Sequence, residues 1–234
     1  MLPVPQGKMV MSAGSGKSGT GLRSREFVVS EYLIDLRPVS VEEFVGFLDT
    51  LLPRENGRIV AAPSRQGAMG QLEPPDEIKR LVRVPSYWLV LGEGGFVLNG
   101  VRGDAPMFNV TWDGADAYCR HVGKNLPSET QWEKACAGSV PAYKVTDKYE
   151  WASDWYSADF FRKAGPVDPL NTANTGLKSS RGGVDSRGKV RCSARSGAVP
   201  SAATLNKAFR CAKREAKEEG GRYRGRCLLI DYLA

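Results

Sequence analysis

Histidine is almost missing: His121 is the only one in 234 residues. A multi-histidine iron or zinc site has no ligands to draw on, and any acid–base triad has a single imidazole to use. No apolar run approaches the ~18–20 residues of a membrane span. The opening stretch MLPVPQGKMVMSAGSGKSG contains no continuous apolar segment of the kind a signal peptide needs. The five cysteines, at 119, 136, 192, 211 and 227, form no CxxC pair, so zinc-site spacing is absent. They leave two alternatives: two disulfides with a spare thiol, which implies an oxidising setting, or five buried thiols packed as small hydrophobes.

What is present describes an ordinary globular chain, 41% hydrophobic and 25% charged with mean hydropathy −0.34. The length suits one substantial domain or two small ones. The net charge of +7 is unevenly placed. From Lys178 to Arg226 fourteen Lys and Arg face Asp185, Glu215, Glu218 and Glu219, a balance of +10 that leaves −3 for the rest. Such a stretch suits either an anionic partner or a solvated face. No heptad, basic-region helix or aromatic-interleaved signature accompanies it, so nucleic acid is a minor expectation.

Local patterns predict the elements. The loop SAGSGKSGTG (12–21) invites a phosphate-loop reading, but Met11 stands where that motif needs a glycine, and residues 27–35 look like strand where it needs a helix. Ser40 and Glu43 form a capping box before Phe44, Phe47, Leu48 and Leu51 at helical spacing. Residues 53–75 read as a long connection, with strand candidates at 81–84 and 87–90. Thr111 caps a second helix that carries Ala115, Tyr118, Cys119 and Val122 inward and ends at Gly123. Ser128 and Gln131 form another capping box, for a helix that carries Trp132, Ala135 and Cys136 inward and stops at Gly138. Later strand candidates are 149–155, 189–192 and 209–212, and the strand-like end 222–232 is basic. Helices early and loop-rich β structure late predict an α+β fold with one interleaved core.

The run FNVTWDGADAYCRHVGKNLPSETQWEKACAG resembles the signature of the formylglycine-generating enzyme family, also called the sulfatase-modifying-factor family. The matching positions are Val110, Thr111, Trp112, Ala115, Tyr118, Cys119, Gly123, Lys124, Leu126, Pro127, Ser128, Glu129, Trp132 and Glu133. Tyr149-Glu150-Trp151 with Asp154-Trp155-Tyr156, Arg181-Gly182-Gly183, Arg191 to Arg195 and Phe209 to Ala212 resemble later segments of the same family in the same order. The resemblance implies the family's C-type-lectin-like fold, two helices on small twisted antiparallel sheets with much ordered loop. It implies a domain over residues 1–213, followed by a basic extension at 214–234, and the disulfides Cys119–Cys211 and Cys136–Cys192, with Cys227 left over.

The resemblance also marks what is lacking. Formylglycine-forming members hold copper(I), a soft ion, with two thiolates between the glycine turn and the closing strand. Here the interval from Gly183 to Arg191 contains no cysteine, and Val184 replaces the turn serine. Members with a three-histidine iron site are excluded by the lone His121. Calcium is the remaining cofactor candidate: Asp147 and Glu150 match positions near a calcium loop, although the preceding Pro-Trp-Gly segment is absent, Lys148 intervenes, and Glu150 also suits a buried hydrogen-bonding role. The reading that follows is a non-catalytic, lectin-fold binding or surface-display protein with no required cofactor. Its ligand, an anionic glycan or protein, is expected on Arg181, Asp185, Ser186, Arg187, Lys189, Arg191 and Arg195. In retroelement-diversified relatives of this fold the equivalent face, residues 179–207, carries variable side chains, and its composition here is compatible with that origin. Exposure on a virion or cell surface fits this reading, and a cytoplasmic location is the alternative. The competing functions are an oxidoreductase of the same family working without the cysteine pair, and a structural subunit of an oligomer or larger assembly.

Overall fold

The computed structural model describes residues 1–11, 24–62, 71–84, 87–139 and 143–214. Its N-terminal part has β1 (Leu2–Val4), β2 (Gly7–Met11), β3 (Arg25–Val29), β4 (Tyr32–Ile34) and α1 (Val41–Thr50). Next come β5 (Arg54–Glu55), β6 (Arg58–Ile59), α2 (Asp76–Leu81), β7 (Leu89–Gly92) and β8 (Gly95–Leu98). Two helices follow, α3 (Trp112–His121) and α4 (Glu129–Lys134), the latter running on into a wider turn at Ala135–Ser139. The last part has β9 (Tyr149–Trp155), α5 (Phe160–Lys163), β10 (Lys178–Gly182), β11 (Arg195–Ala198), β12 (Lys207–Ala208) and β13 (Ala212–Lys213).

Hydroxyl caps start three of the helices where the sequence places them. Ser40 Oγ accepts from Glu43 N while Ser40 N donates to Glu43 Oε2, and Ser128 with Gln131 repeats the box at α4. Thr111 Oγ1 accepts from Gly114 N at 3.0 Å, opening α3. Each such cap satisfies an N–H with no partner inside the helix, worth about 1 kcal/mol. The fold is mixed α+β, consistent with the C-type-lectin-like expectation. Four expectations fail locally: Val122 is 39% exposed instead of facing the core, and of residues 209–212 only Ala212 is strand. Leu81 ends a helix rather than starting a strand, and residues 189–192 contribute one bridge, Val190 to Val184, rather than a strand. The loop 12–21 and the end 222–232 lie outside the described residues.

The site-bearing sheet has the order β11-β10-β9-β12, with β12 parallel to β9 and the other pairs antiparallel. A second sheet, β1-β4-β13, joins the two ends of the domain. Apolar side chains gather in two clusters rather than one. The larger, with Phe44, Leu48, Trp88, Tyr118, Trp151 and Phe209, lies around α1 and α3. The smaller, with Val4, Phe27, Tyr32, Ile34 and Phe161, lies under β1, β3 and β4. Lys134 ties α4 to that second cluster: its Nζ donates to the carbonyls of Pro5 (2.6 Å), Val29 (3.1 Å) and Gly7 (3.3 Å).

The implied disulfides are both present. Cys119–Cys211 joins α3 to the segment before β13 across 92 residues, and Cys136–Cys192 joins the turn after α4 to the segment before β11 across 56. By loop-closure entropy each stabilises the fold by roughly 4 kcal/mol.

Candidate functional site

Alternation along β9 sends its residues to opposite faces. Trp151 faces the large apolar cluster, its Nε1 donating to Val110 O, whereas Glu150 and Asp154 face α4. On β10 Ser179 and Arg181 face the same way. The result is a fully buried layer of charge. Glu129, the first residue of α4, accepts from Ser179 Oγ (2.6 Å), Arg181 Nη1 (3.2 Å) and Arg195 Nε (2.6 Å) and Nη2 (2.9 Å). Arg181 Nη2 also donates to Glu133 and to Cys192 O. Burial alone would raise the Glu129 carboxyl, but the hydrogen bonds and charges of Arg195 and Arg181 hold it below the usual range. Its neighbour Asp154 goes the other way, pushed up to about 7 by burial and then by the Glu129 charge. Farther along the strand, Glu150 takes Trp132 Nε1 (2.8 Å) and two donors of Arg210.

Above this layer the chain between Gly183 and Arg191 forms a closed hairpin. Arg191 N donates to Gly183 O (3.0 Å), Asp185 N to Lys189 O (2.9 Å) and Gly188 N to Asp185 O (3.0 Å). Gly188 takes φ +76°, the left-handed conformation that closes a three-residue loop of this kind. Asp185 Oδ1 accepts from Arg187 N (2.8 Å) and Lys189 N (3.0 Å), which holds its carboxyl below the usual range. Ser186, Arg187 and Lys189 are left exposed at the tip. The base is held by the Cys136–Cys192 bridge and by the Arg181 guanidinium. Clefts of about 330 Å³, beside Ser128 and Asp168, and about 390 Å³, beside Phe47 and Asp113, lie elsewhere; no hairpin residue lines them.

The seven expected ligand residues thus divide. Ser186, Arg187 and Lys189 share the exposed tip, and Asp185 organises it. Arg191 is half-buried at the base and pairs with Gly183 through its backbone. Arg181 and Arg195 do not belong to an open face: their side chains are 0% and 10% exposed, and Arg195 also lies over Phe161 and Tyr156. Desolvating two guanidiniums is tolerated because Glu129 and Glu133 neutralise them.

The calcium expectation does not fit these residues. Both Glu150 oxygens are taken by Arg210 and Trp132 in a fully buried pair, while Asp147 is exposed. Among the described residues no group of three or more His, Cys, Asp or Glu is placed to hold a metal. The copper chemistry of the formylglycine-forming members does not fit either, since the four described cysteines are all bridged. His121 packs at a tilt against Phe47, a contact of the α1–α3 side. Two buried lysines were not singled out in the sequence. Lys178 Nζ sits 3.7 Å and 4.0 Å from the Trp112 and Trp155 rings, and Lys207 Nζ donates to Ser180 Oγ at 2.6 Å beneath Trp151. Burial pulls the Lys207 ammonium down to about 8. The only sequence trace of either is the aromatic spacing of β9, which presents Trp151 and Trp155 to that side.

Residues 1–184 match the sulfatase-modifying factor enzyme 1-like domain, so the match stops where the hairpin begins. The serine/threonine-protein kinase Pkn1 of Chlamydia trachomatis serovar L2 is 25% identical over 252 residues, covering 91% of this chain and 38% of that protein. The inactive C-alpha-formylglycine-generating enzyme 2 of Bos taurus is 27% identical over 153 residues, covering 60% of this chain and 48% of its own length. The chain therefore spans between about a third and a half of these relatives. The structure of PvdO from Pseudomonas aeruginosa shares the fold, with a TM-score of 0.53 and 16% identity over 92% of this chain and 94% of that one. With the family match covering most of the chain and the signature residues folded as α3, α4 and β9, this protein belongs to the sulfatase-modifying factor enzyme family.

Proposed function

We propose that this chain is a non-catalytic binding module of its family, taking an anionic partner on the Ser186–Arg187–Lys189 tip. One observation carries the reading. Where formylglycine-forming members place two thiolates, this chain has a cysteine-free hairpin, closed by Asp185 and Gly188, with its cations turned outward. A rigid base under exposed charged side chains limits the entropy lost when a partner binds, which is how a small patch reaches useful affinity. The similarity to a relative named as inactive supports the same direction. The two disulfides support an oxidising setting, and with it display on a virion or cell surface.

The test is retention on immobilised heparin, with a sulfonate cation exchanger as the control for bulk charge. The chain is expected to elute from heparin at higher salt than from the exchanger, and Arg187→Ala with Lys189→Ala to remove that difference. Equal elution of the double variant and the parent on heparin overturns the placement. Oxygen consumption with a thiol reductant present would instead return the oxidoreductase reading to first place.

A further inference from the structure

The cleft of about 390 Å³ beside Phe47 and Asp113 lies between three helices, away from the hairpin. Each helix presents one stripe to it. On α3, residues 113, 116, 117 and 120 follow the i, i+3, i+4, i+7 spacing of a single face, about 10 Å long. From α1 and its cap come Phe47 and Leu51, and from α2 come Glu77 and Leu81, each pair one turn apart. Backbone and ring contacts hold the three together. Leu81 O accepts from Thr111 N at 3.0 Å, and an added Cβ on Gly114 would run into that same oxygen, so the end of α2 is seated on the first turn of α3. On the α1 side, the Phe47 ring lies 5.7 Å from Tyr118 and 5.0 Å from His121.

Phe47, Leu51, Leu81 and Ala117 make the apolar part of the lining. The rest is charged. Asp116, its side chain 17% exposed, is paired with Arg120 Nη2 at 2.6 Å. Glu77 and Asp113 are exposed and have no ion-pair partner among the described residues. Three carboxylates against one guanidinium leave the cleft at −2, on a chain whose net charge is +7. We infer that this cleft docks a basic amphipathic segment of another protein, its aliphatic side chains on Phe47, Leu51, Leu81 and Ala117 and its lysines or arginines over Glu77 and Asp113. Covering the apolar part favours an aliphatic ligand surface, at about 25 cal/mol per Å² buried. The two unpaired carboxylates draw cations and repel an acidic segment. A stripe about 10 Å long also matches two turns of a helix laid along it. The inference is independent of the hairpin, which contributes no residue to the cleft and takes a ligand of opposite sign.

Fluorescence anisotropy tests this with two labelled peptides of equal length and charge: one with Leu and Lys at helical spacing, and one with Ser in place of each Leu. The Leu–Lys peptide is expected to bind about tenfold tighter than the Ser–Lys peptide. Glu77→Gln with Asp113→Asn should weaken both peptides. Ala117→Gln, which lengthens a half-buried side chain of the cleft, should erase the ratio between them. Thermal melting of each variant confirms that it folds; the two carboxylates are exposed and their replacements nearly isosteric, so that variant decides the matter if Ala117→Gln does not fold. Equal binding of the two peptides, or binding unchanged by Glu77→Gln with Asp113→Asn, overturns the inference. Sedimentation velocity covers the other occupant: a dimer that the carboxylate variant dissolves would give the cleft to a second copy of this chain and overturn it as well. None of these outcomes bears on the hairpin, whose cations repel both peptides.

Discussion

Arg210 closes both oxygens of Glu150, its Nε 2.5 Å from Oε2 and its Nη2 2.7 Å from Oε1, with neither side chain exposed at all. The remaining Arg210 donors reach the carbonyls of Asp35, Leu36 and Lys144, and its guanidinium lies 3.9 Å over Tyr143. One buried cation thus ties three separate stretches of chain, at 35–36, 143–144 and 150, to its own. Arg210→Met leaves the Glu150 charge stranded and is expected to cost about 3–5 kcal/mol in urea unfolding. Adding Glu150→Gln to that variant should recover part of the loss, because no uncompensated charge then remains. A double variant no more stable than the single one would show that packing, not charge, dominates there.

Asp154 gives a pH dependence of defined sign. Its carboxyl is raised to about 7 in the native state against about 4 unfolded, so the native state binds the extra proton across that window. The stability it contributes is fully present below pH ~4 and is lost as pH rises through about 7. Carbon NMR of the Asp154 carboxyl is expected to titrate near 7, and the urea midpoint to fall from pH 5 to 7.5 in parallel. A carboxyl midpoint below 4 would refute the assignment.

The two disulfides differ in exposure. Cys119 and Cys211 are fully buried, whereas Cys136 and Cys192 are both partly open. Under native conditions a mild phosphine reductant should therefore open Cys136–Cys192 first. Alkylation followed by peptide mapping reads the order, and simultaneous labelling of all four would mean that reduction follows global unfolding instead.

At the hairpin tip, Gly188→Ala meets no neighbouring atom within 4 Å, so its cost is backbone strain alone, on the order of 1 kcal/mol. Asp185→Ala removes the acceptor that fixes Arg187 N and Lys189 N, with little loss expected in melting temperature. Both variants should weaken retention on heparin by loosening the tip. Retention unaltered in both would mean that the cations act without a fixed geometry.

Local signals are legible in the chain and distant ones are not. Ser40 with Glu43, Ser128 with Gln131, and Thr111 announce helix starts because a cap and its partner lie three residues apart. The cysteine pairing came from resemblance, since five cysteines alone leave the connectivity open. Arg181 and Arg195 misled because composition reports the sign of a charge, not its burial. Their partner, Glu129, stands 52 and 66 residues away in sequence and meets them only through the packing of α4 on the sheet. The window Leu81 to Val84 is β-rich, but α2 runs on through Leu81 and leaves a single β-bridge, Val82 to Val110, of the expected strand.

The placement of Cys192 has a mechanical consequence. It lies one residue beyond the hairpin and is bonded to the segment after α4, so a pull on Arg187 or Lys189 along the chain meets a covalent bond before it reaches β11. Tension would peel open the few hydrogen bonds between Gly183 and Arg191. The Arg191 arm would then load the turn after α4, which Lys134 moors to the N-terminal strands, and the Gly183 arm would load β10, which is held between β9 and β11. A partner held at the tip under shear would load the body of the domain rather than unzip its edge strand.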